Sequence, residues 1–136
     1  MRILVDADVL IDVALDRAPH AEAASKLLDR LERLPGTGFV AWHTLSNFYY
    51  LVSPAHGRAA ARRYLIELAR FIEVSPTTTE SLRYAGELGL RDFEDALQVA
   101  AAKACGARFI ATRNGRDYRA SPIPALHPRD ALARID

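Results

Sequence analysis

Short unbroken apolar runs alternate along the chain with longer stretches in which apolar residues return every three or four positions. Ile3 to Val5 is the first run, and its continuity predicts a strand buried on both faces. Asp6 ends it, and Asp8 is placed to cap a helix through Leu10, Val13 and Ala14. From Pro19 to Leu34, the spacing of Ala24, Leu27, Leu28, Leu31 and Leu34 predicts a second helix, which Pro35-Gly36 stops. Phe39 to Ala41 predict a second strand. Thr44 to Val52 predict a helix that Ser53-Pro54 ends, and Arg58 to Ala69 another. Phe71 to Val74 give a third strand, Thr78 to Leu88 a helix closed by Gly89, and Asp92 opens an Ala-rich helix that Gly106 terminates. Arg108 to Thr112 are a fourth strand, Ile123 to Leu126 a short fifth, and Pro128 to Ile135 a last helix. Strands alternating with helices predict a parallel sheet covered on both faces, with its site beyond the carboxyl ends of the strands.

The 136 residues fit a single domain, 1–136, and half of them are apolar, enough for a core. A formal net charge of +1 excludes a strongly basic nucleic-acid coat but leaves room for a local basic groove. Cys105 is the one cysteine, so no internal disulfide and no cysteine-based zinc site can form. The apolar small-residue setting of Cys105, the lack of a signal-peptide h-region and the lack of any apolar run near ~20 residues point to the cytoplasm rather than a membrane.

Carboxylates and amides gather in three places: Asp6 after the first strand, Asp92 and Asp95 at the start of the Ala-rich helix, and Asn114 to Asp117 after the fourth strand. An α/β fold brings them to one sheet edge, where they repel one another unless a hard cation such as Mg²⁺ or Mn²⁺ neutralises them. Asp6 reads as a metal ligand, although it can also cap the following helix. Asp12 and Asp16 continue from Asp8 at helical spacing and read as a solvated face. Asp92 fits a helix cap. Asp95 has a site role, and Glu94 points to solvent. Thr112, Asn114 and Asp117 can bind phosphate or metal-bound water, while an Asx turn explains Asn114-Gly115 equally well. The four His have no ligand spacing; His43 can cap a helix or touch substrate. Trp42, Tyr49 and Tyr50 read as core or interface.

With these motifs, ILVDADVLID, DFEDALQVAAAKACGARFIATRNGRDY and IPALHPRDAL, the chain resembles PIN-domain ribonucleases, particularly the compact VapC-like toxins of bacterial toxin–antitoxin pairs. The resemblance implies a three-layer α/β/α fold around a mainly parallel sheet of four to five strands, and Mg²⁺- or Mn²⁺-dependent cleavage of single-stranded regions of RNA. Carried over by position, it makes Asp6 and Asp95 the principal ligands, with Asp117 and Asn114 completing the site. Asn47, Asp92 and Asp117 shape the metal's water shell, with Asp92 counted among the metal residues and Asn47 among the catalytic ones. Thr112 holds a phosphate or the attacking water, and Arg113, Arg116 and Arg119 either contact the RNA backbone or are ordinary loop charges. An RNA substrate, a cognate antitoxin protein and a homodimeric assembly are the expected partners. One position departs from the family pattern: where a Glu is usual on the helix after the second strand, this chain has Asn47. Restoring a carboxylate there is therefore expected to tighten metal binding. Two rival readings compete with the nuclease. One is a degenerate PIN domain that binds RNA or protein without cutting. The other is a haloacid-dehalogenase-like phosphatase, suggested by Asp6-Ala7-Asp8 but lacking a well-placed Lys.

Overall fold

The structure, a computed structural model, describes residues 1–135. Five short strands, β1 (Ile3–Val5), β2 (Gly38–Val40), β3 (Ile72–Val74), β4 (Phe109–Ala111) and β5 (Ala125–Leu126), form one sheet in the order β3-β2-β1-β4-β5. Every pairing is parallel. The helices are α1 (Ala7–Ala14), α2 (His20–Glu32), α3 (Trp42–His56), α4 (Arg58–Leu68), α5 (Thr79–Glu87), α6 (Phe93–Cys105) and α7 (Pro128–Ile135). A 3₁₀ turn covers Gly115–Tyr118.

Strand alternation assigns each side chain to one of two cores. Ile3, Val5, Val40, Phe109 and Ala111 pack with Val9 and Leu10 of α1, Leu27, Leu28 and Leu31 of α2, and Phe48 and Val52 of α3. Leu4, Phe39, Ala41 and Ile110 face the other way, against Val99, Ala101, Ala102 and Cys105 of α6. The sheet is thus the middle of three layers. The alanines of α6 let its backbone approach the sheet closely, and Cys105 is buried there. Gly38 has the same origin: a Cβ at that position would lie 2.5 Å from Ile72 Cδ1 and 3.1 Å from Leu31 Cδ1. No helix of the described residues is long and apolar enough to cross a membrane.

Several expected boundaries move by one or two residues, and the end of α3 moves furthest. Ser53-Pro54 does not end α3, which continues to His56. Proline removes one donor to the carbonyl four residues earlier, that of Tyr50, and Tyr50 is 74% exposed, so water can satisfy it. Ser53 Oγ meanwhile donates to the Tyr49 carbonyl at 2.6 Å. Gly57, at φ 91°, provides the actual stop.

The strand order decides where a site can form. From β1 the chain adds β2 and β3 on one side, then crosses to place β4 on the other. The β1/β4 boundary is therefore the topological switch point, where a crevice opens beyond the strands' carboxyl ends. Val5 pairs with Ala111, so Asp6 and Thr112 leave the sheet side by side, and Asp6 N–H still donates to the Ala111 carbonyl at 2.9 Å.

Candidate active site

Asp6 is the N-cap of α1, and its Oδ1 accepts from Ala7 N–H at 2.8 Å. The same Oδ1 accepts from Gln98 Nε2 at 2.7 Å, and Oδ2 accepts from the Tyr118 hydroxyl at 3.2 Å. Capping and a place in the site are thus not alternatives for this residue. Asp8, expected as the cap, instead lies in the first turn of α1. Its Oδ2 accepts from Thr112 Oγ1 (3.0 Å), Arg113 N–H (3.2 Å) and Asn114 Nδ2 (2.9 Å), which ties the start of α1 to the loop after β4. Its Oδ1 is buried with no partner among the described residues. Burial first, and the Asp6 charge second, push the Asp8 carboxyl up to about 7, against the pull of Thr112 and Arg113.

Asp12 is not on a solvated face. It is 2% exposed, and Arg113 grips it with Nε–Oδ2 at 2.7 Å and Nη2–Oδ1 at 3.3 Å. Arg17 stands 3.7 Å from the same carboxylate. The hydrogen bond to Asp12 is the main reason the Arg113 guanidinium holds its proton even more firmly than usual. Arg113 is therefore committed to a buried ion pair, while Arg116 and Arg119 remain exposed.

From α6, Asp92 is the N-cap and accepts from Asp95 N–H at 3.1 Å; the open cleft does not include it. Asp95 lines the cleft. Burial, then the charges of Asp92, Asp117 and Asp6, push its carboxyl up to about 6. Asp117 reaches the cleft from the 3₁₀ turn, and Asn114 lines it beside Asp8. Thr112 is fully buried, and its hydroxyl is spent on Asp8 and on accepting from Asn114 N–H at 3.1 Å.

Asn47 also faces the cleft, and its Nδ2 donates to Glu94 Oε1 at 2.6 Å. Glu94 is solvent-exposed, as expected, but it does not point away: it is part of the cleft wall. The cleft is lined by the carboxylates of Asp6, Asp8, Glu94, Asp95 and Asp117, by Asn47 and Asn114, and by Arg17. His43 lies nearby, with its Nε2 buried and without a partner among the described residues. Burial lowers its pKa, although Glu94 and Asp6 pull the other way. Trp42 and Tyr50 are not core: they are 69% and 74% exposed, whereas Tyr49 is half-buried.

Sequence reasoning missed Gln98 and understated Tyr118. Gln98 is 2% exposed on the apolar face of α6. It donates to Asp6 and accepts from the buried Thr44 hydroxyl at 3.5 Å. The available signal was a lone amide within ALQVAAA, because a polar group on a buried face requires a partner. Burial and the surrounding acids raise the Tyr118 pKa, so its hydroxyl stays a donor to Asp6.

Among the described residues, no group of three or more His, Cys, Asp or Glu side chains is closed up around a cation position. The donor set nonetheless suits one. It is all oxygen, as Mg²⁺ and Mn²⁺ require. Asp8 Oδ1 is orphaned among the described residues, and burial first, with neighbouring acids second, pushes the Asp8 and Asp95 carboxyls up; a cation would offset the part due to those charges.

A family model described as a PIN domain matches residues 2–116. The fold is also similar to that of VapBC2 from Rickettsia felis, solved bound to a DNA fragment from its promoter. That match has a TM-score of 0.71 at 17% identity, over 93% of this chain and 98% of that one. VapC20 from Mycobacterium tuberculosis, described as a sarcin-ricin loop cleaving toxin, gives a TM-score of 0.68 at 21% identity, over 87% of this chain and 94% of that one. FitAcB from Neisseria gonorrhoeae gives 0.64 at 20% identity, over 93% and 97%. Among curated proteins nothing matches.

Proposed function

Because the chain belongs to the PIN-domain family, we propose that it is a metal-dependent endoribonuclease that cuts single-stranded regions of RNA, the toxin of a toxin–antitoxin pair acting in the cytoplasm. One observation carries the reading: five carboxylates line a single open cleft at the β1/β4 switch point, and two of them are pushed up to about 7 and about 6. Such a cleft is costly for an empty protein and favourable for one that binds a divalent cation.

Asp6, Asp95 and Asp117 are the residues to hold Mg²⁺ or Mn²⁺, with Asn114 at its edge. When bound, the cation acidifies water and offsets charge on phosphoryl oxygens. The chain's own residues prepare for this. Gln98 and Tyr118 fix the orientation of the Asp6 carboxylate by hydrogen bonds to both its oxygens. Asp8 locks the loop after β4, which keeps Asn114 and Asp117 facing Asp6. Arg17, with its side chain 41% exposed, brings positive charge to the cleft for an RNA phosphate. Thr112 contributes by holding Asp8, so its hydroxyl is not free for phosphate. The similarity of fold to VapBC2, to FitAcB and to VapC20, which is described as a toxin, supports an antitoxin partner, and homodimerisation is proposed with it.

The test is cleavage of structured RNA by purified protein in Mg²⁺ or Mn²⁺, abolished by chelator and by Asp95→Asn with the fold retained. Equal cleavage by the variant would sink the assignment. Asn47 favours a second reading, an RNA- or protein-binding PIN domain without nuclease activity. RNA retained on the protein uncut in Mn²⁺ would support it. A phosphatase is set aside: Lys26 pairs with Glu22 and Lys103 lies over the Tyr84 ring, so neither serves the cleft.

A further inference from the structure

We propose that Glu94 supplies the carboxylate that position 47 lacks, so that the cleft's missing acid is delivered from α6 rather than α3. The inference rests on the metal-dependent reading above. Three observations lead to it. Asn47 and Glu94 belong to helices that meet at this cleft, and both line it. The Asn47 amide donates to Glu94 Oε1 at 2.6 Å, which turns the side chain of an exposed helix-start residue inward over the site. The bond engages Oε1, which leaves Oε2 as the anionic oxygen for the cation or for its water.

The chemistry of the pair explains the residue types. An amide can donate to a carboxylate; a second carboxylate cannot. With Glu at both positions the two side chains would repel, so the neutral residue at 47 is what allows the charge to sit at 94. Asn47 is then a positioning residue and Glu94 the charged one. This reverses the expectation that Asn47→Glu alone improves the site. In the presence of Glu94 that change places two carboxylates against each other and breaks the hydrogen bond that orients them.

The measurement is isothermal titration of the metal-free protein with Mn²⁺, without RNA, so that binding is read apart from activity. Glu94→Gln is expected to weaken Mn²⁺ binding by roughly 10- to 100-fold, the range seen when groups supporting a metal site are removed. Glu80→Gln, which removes the same charge from the exposed Glu80–Arg83 pair on α5, is expected to change it less than about twofold, as a screened surface charge should. The reciprocal swap, Asn47→Glu with Glu94→Asn, should restore most of the affinity, and Asn47→Glu alone should not exceed wild type. Glu94→Gln binding within about threefold of wild type would overturn the inference while leaving the metal site intact. A swap that recovers nothing would overturn the claim that the two positions share one charge. Wild-type protein that binds no Mn²⁺ would overturn the underlying reading, and this inference with it. Melting of each variant in chelator separates a lost ligand from a lost fold.

Discussion

Replacing Arg113 by Ala isolates the one buried charge pair that holds the site loop to α1. Asp12 is 2% exposed, and Arg113 covers both its oxygens, at 2.7 and 3.3 Å. Removing one partner of a fully buried pair costs about 3–5 kcal/mol, because the remaining charge is left without compensation. Two features lower that here. The Arg113 side chain is 25% exposed, and Arg17 stays 3.7 Å from Asp12. The expected loss is therefore about 2–3 kcal/mol, which in a chain of this size lowers the melting temperature by roughly 8–12 °C. Arg113→Lys keeps the charge but not the two-pronged geometry, and should lose about half as much. Asp12→Leu with Arg113→Met removes both charges and should recover most of the stability. Urea unfolding in chelator, followed by circular dichroism, gives all four free energies. A loss below about 0.5 kcal/mol for Arg113→Ala, the range of an ordinary surface change, would refute the reasoning. So would a double variant no more stable than the single one.

Three more outcomes are expected. Asp8 and Asp95 hold protons more tightly when folded, at about 7 and about 6, than at their ordinary 3.8. Their contribution to stability is thus complete below pH 3.8 and lost as pH rises through 6 and 7. Metal-free protein should melt lower at pH 8 than at pH 5, and saturating Mg²⁺ should flatten that slope; a flat profile in chelator would contradict it. Gln98→Met leaves the buried Thr44 hydroxyl without an acceptor and takes from Asp6 the side-chain donor on Oδ1, so it should cost about 1–2 kcal/mol in urea melts and weaken Mn²⁺ binding in titration. Asp16 ends α1 at φ 49°, with its N–H on the Val13 carbonyl and Arg17 N–H on the Asp12 carbonyl, a turn that glycine suits better. Asp16→Gly should therefore gain about 0.5–1 kcal/mol, read as a higher melting temperature.

The strands and helices were legible because they are set by local pattern. Continuous apolar triplets give β1 and β4, and helical spacing gives α2. What could not be read was the partner of each polar side chain. Asp12 sits one turn beyond Asp8, so its spacing looks like a solvated stripe; only Arg113, 101 residues later, makes it a buried ion pair. Glu94 neighbours two acids and looks like surplus charge until Asn47 is folded against it. Pro54 misled for the opposite reason: a local rule was right about the lost hydrogen bond but blind to the exposed face on which it fell.

The switch-point topology also dictates a time order. The residues of the cleft come from the first turn of the chain, from α3, from the start of α6 and from the loop after β4, and the contact between Asp6 and Tyr118 spans 112 positions. A ribosome releases Asp6 long before Tyr118. Through most of its synthesis the growing chain has two acids of the cleft, Asp6 and Asp8, and neither of the side chains, Gln98 and Tyr118, that orient Asp6. On the nuclease reading proposed above, the site is incomplete until β4 slots in beside β1, so cutting must wait for that pairing.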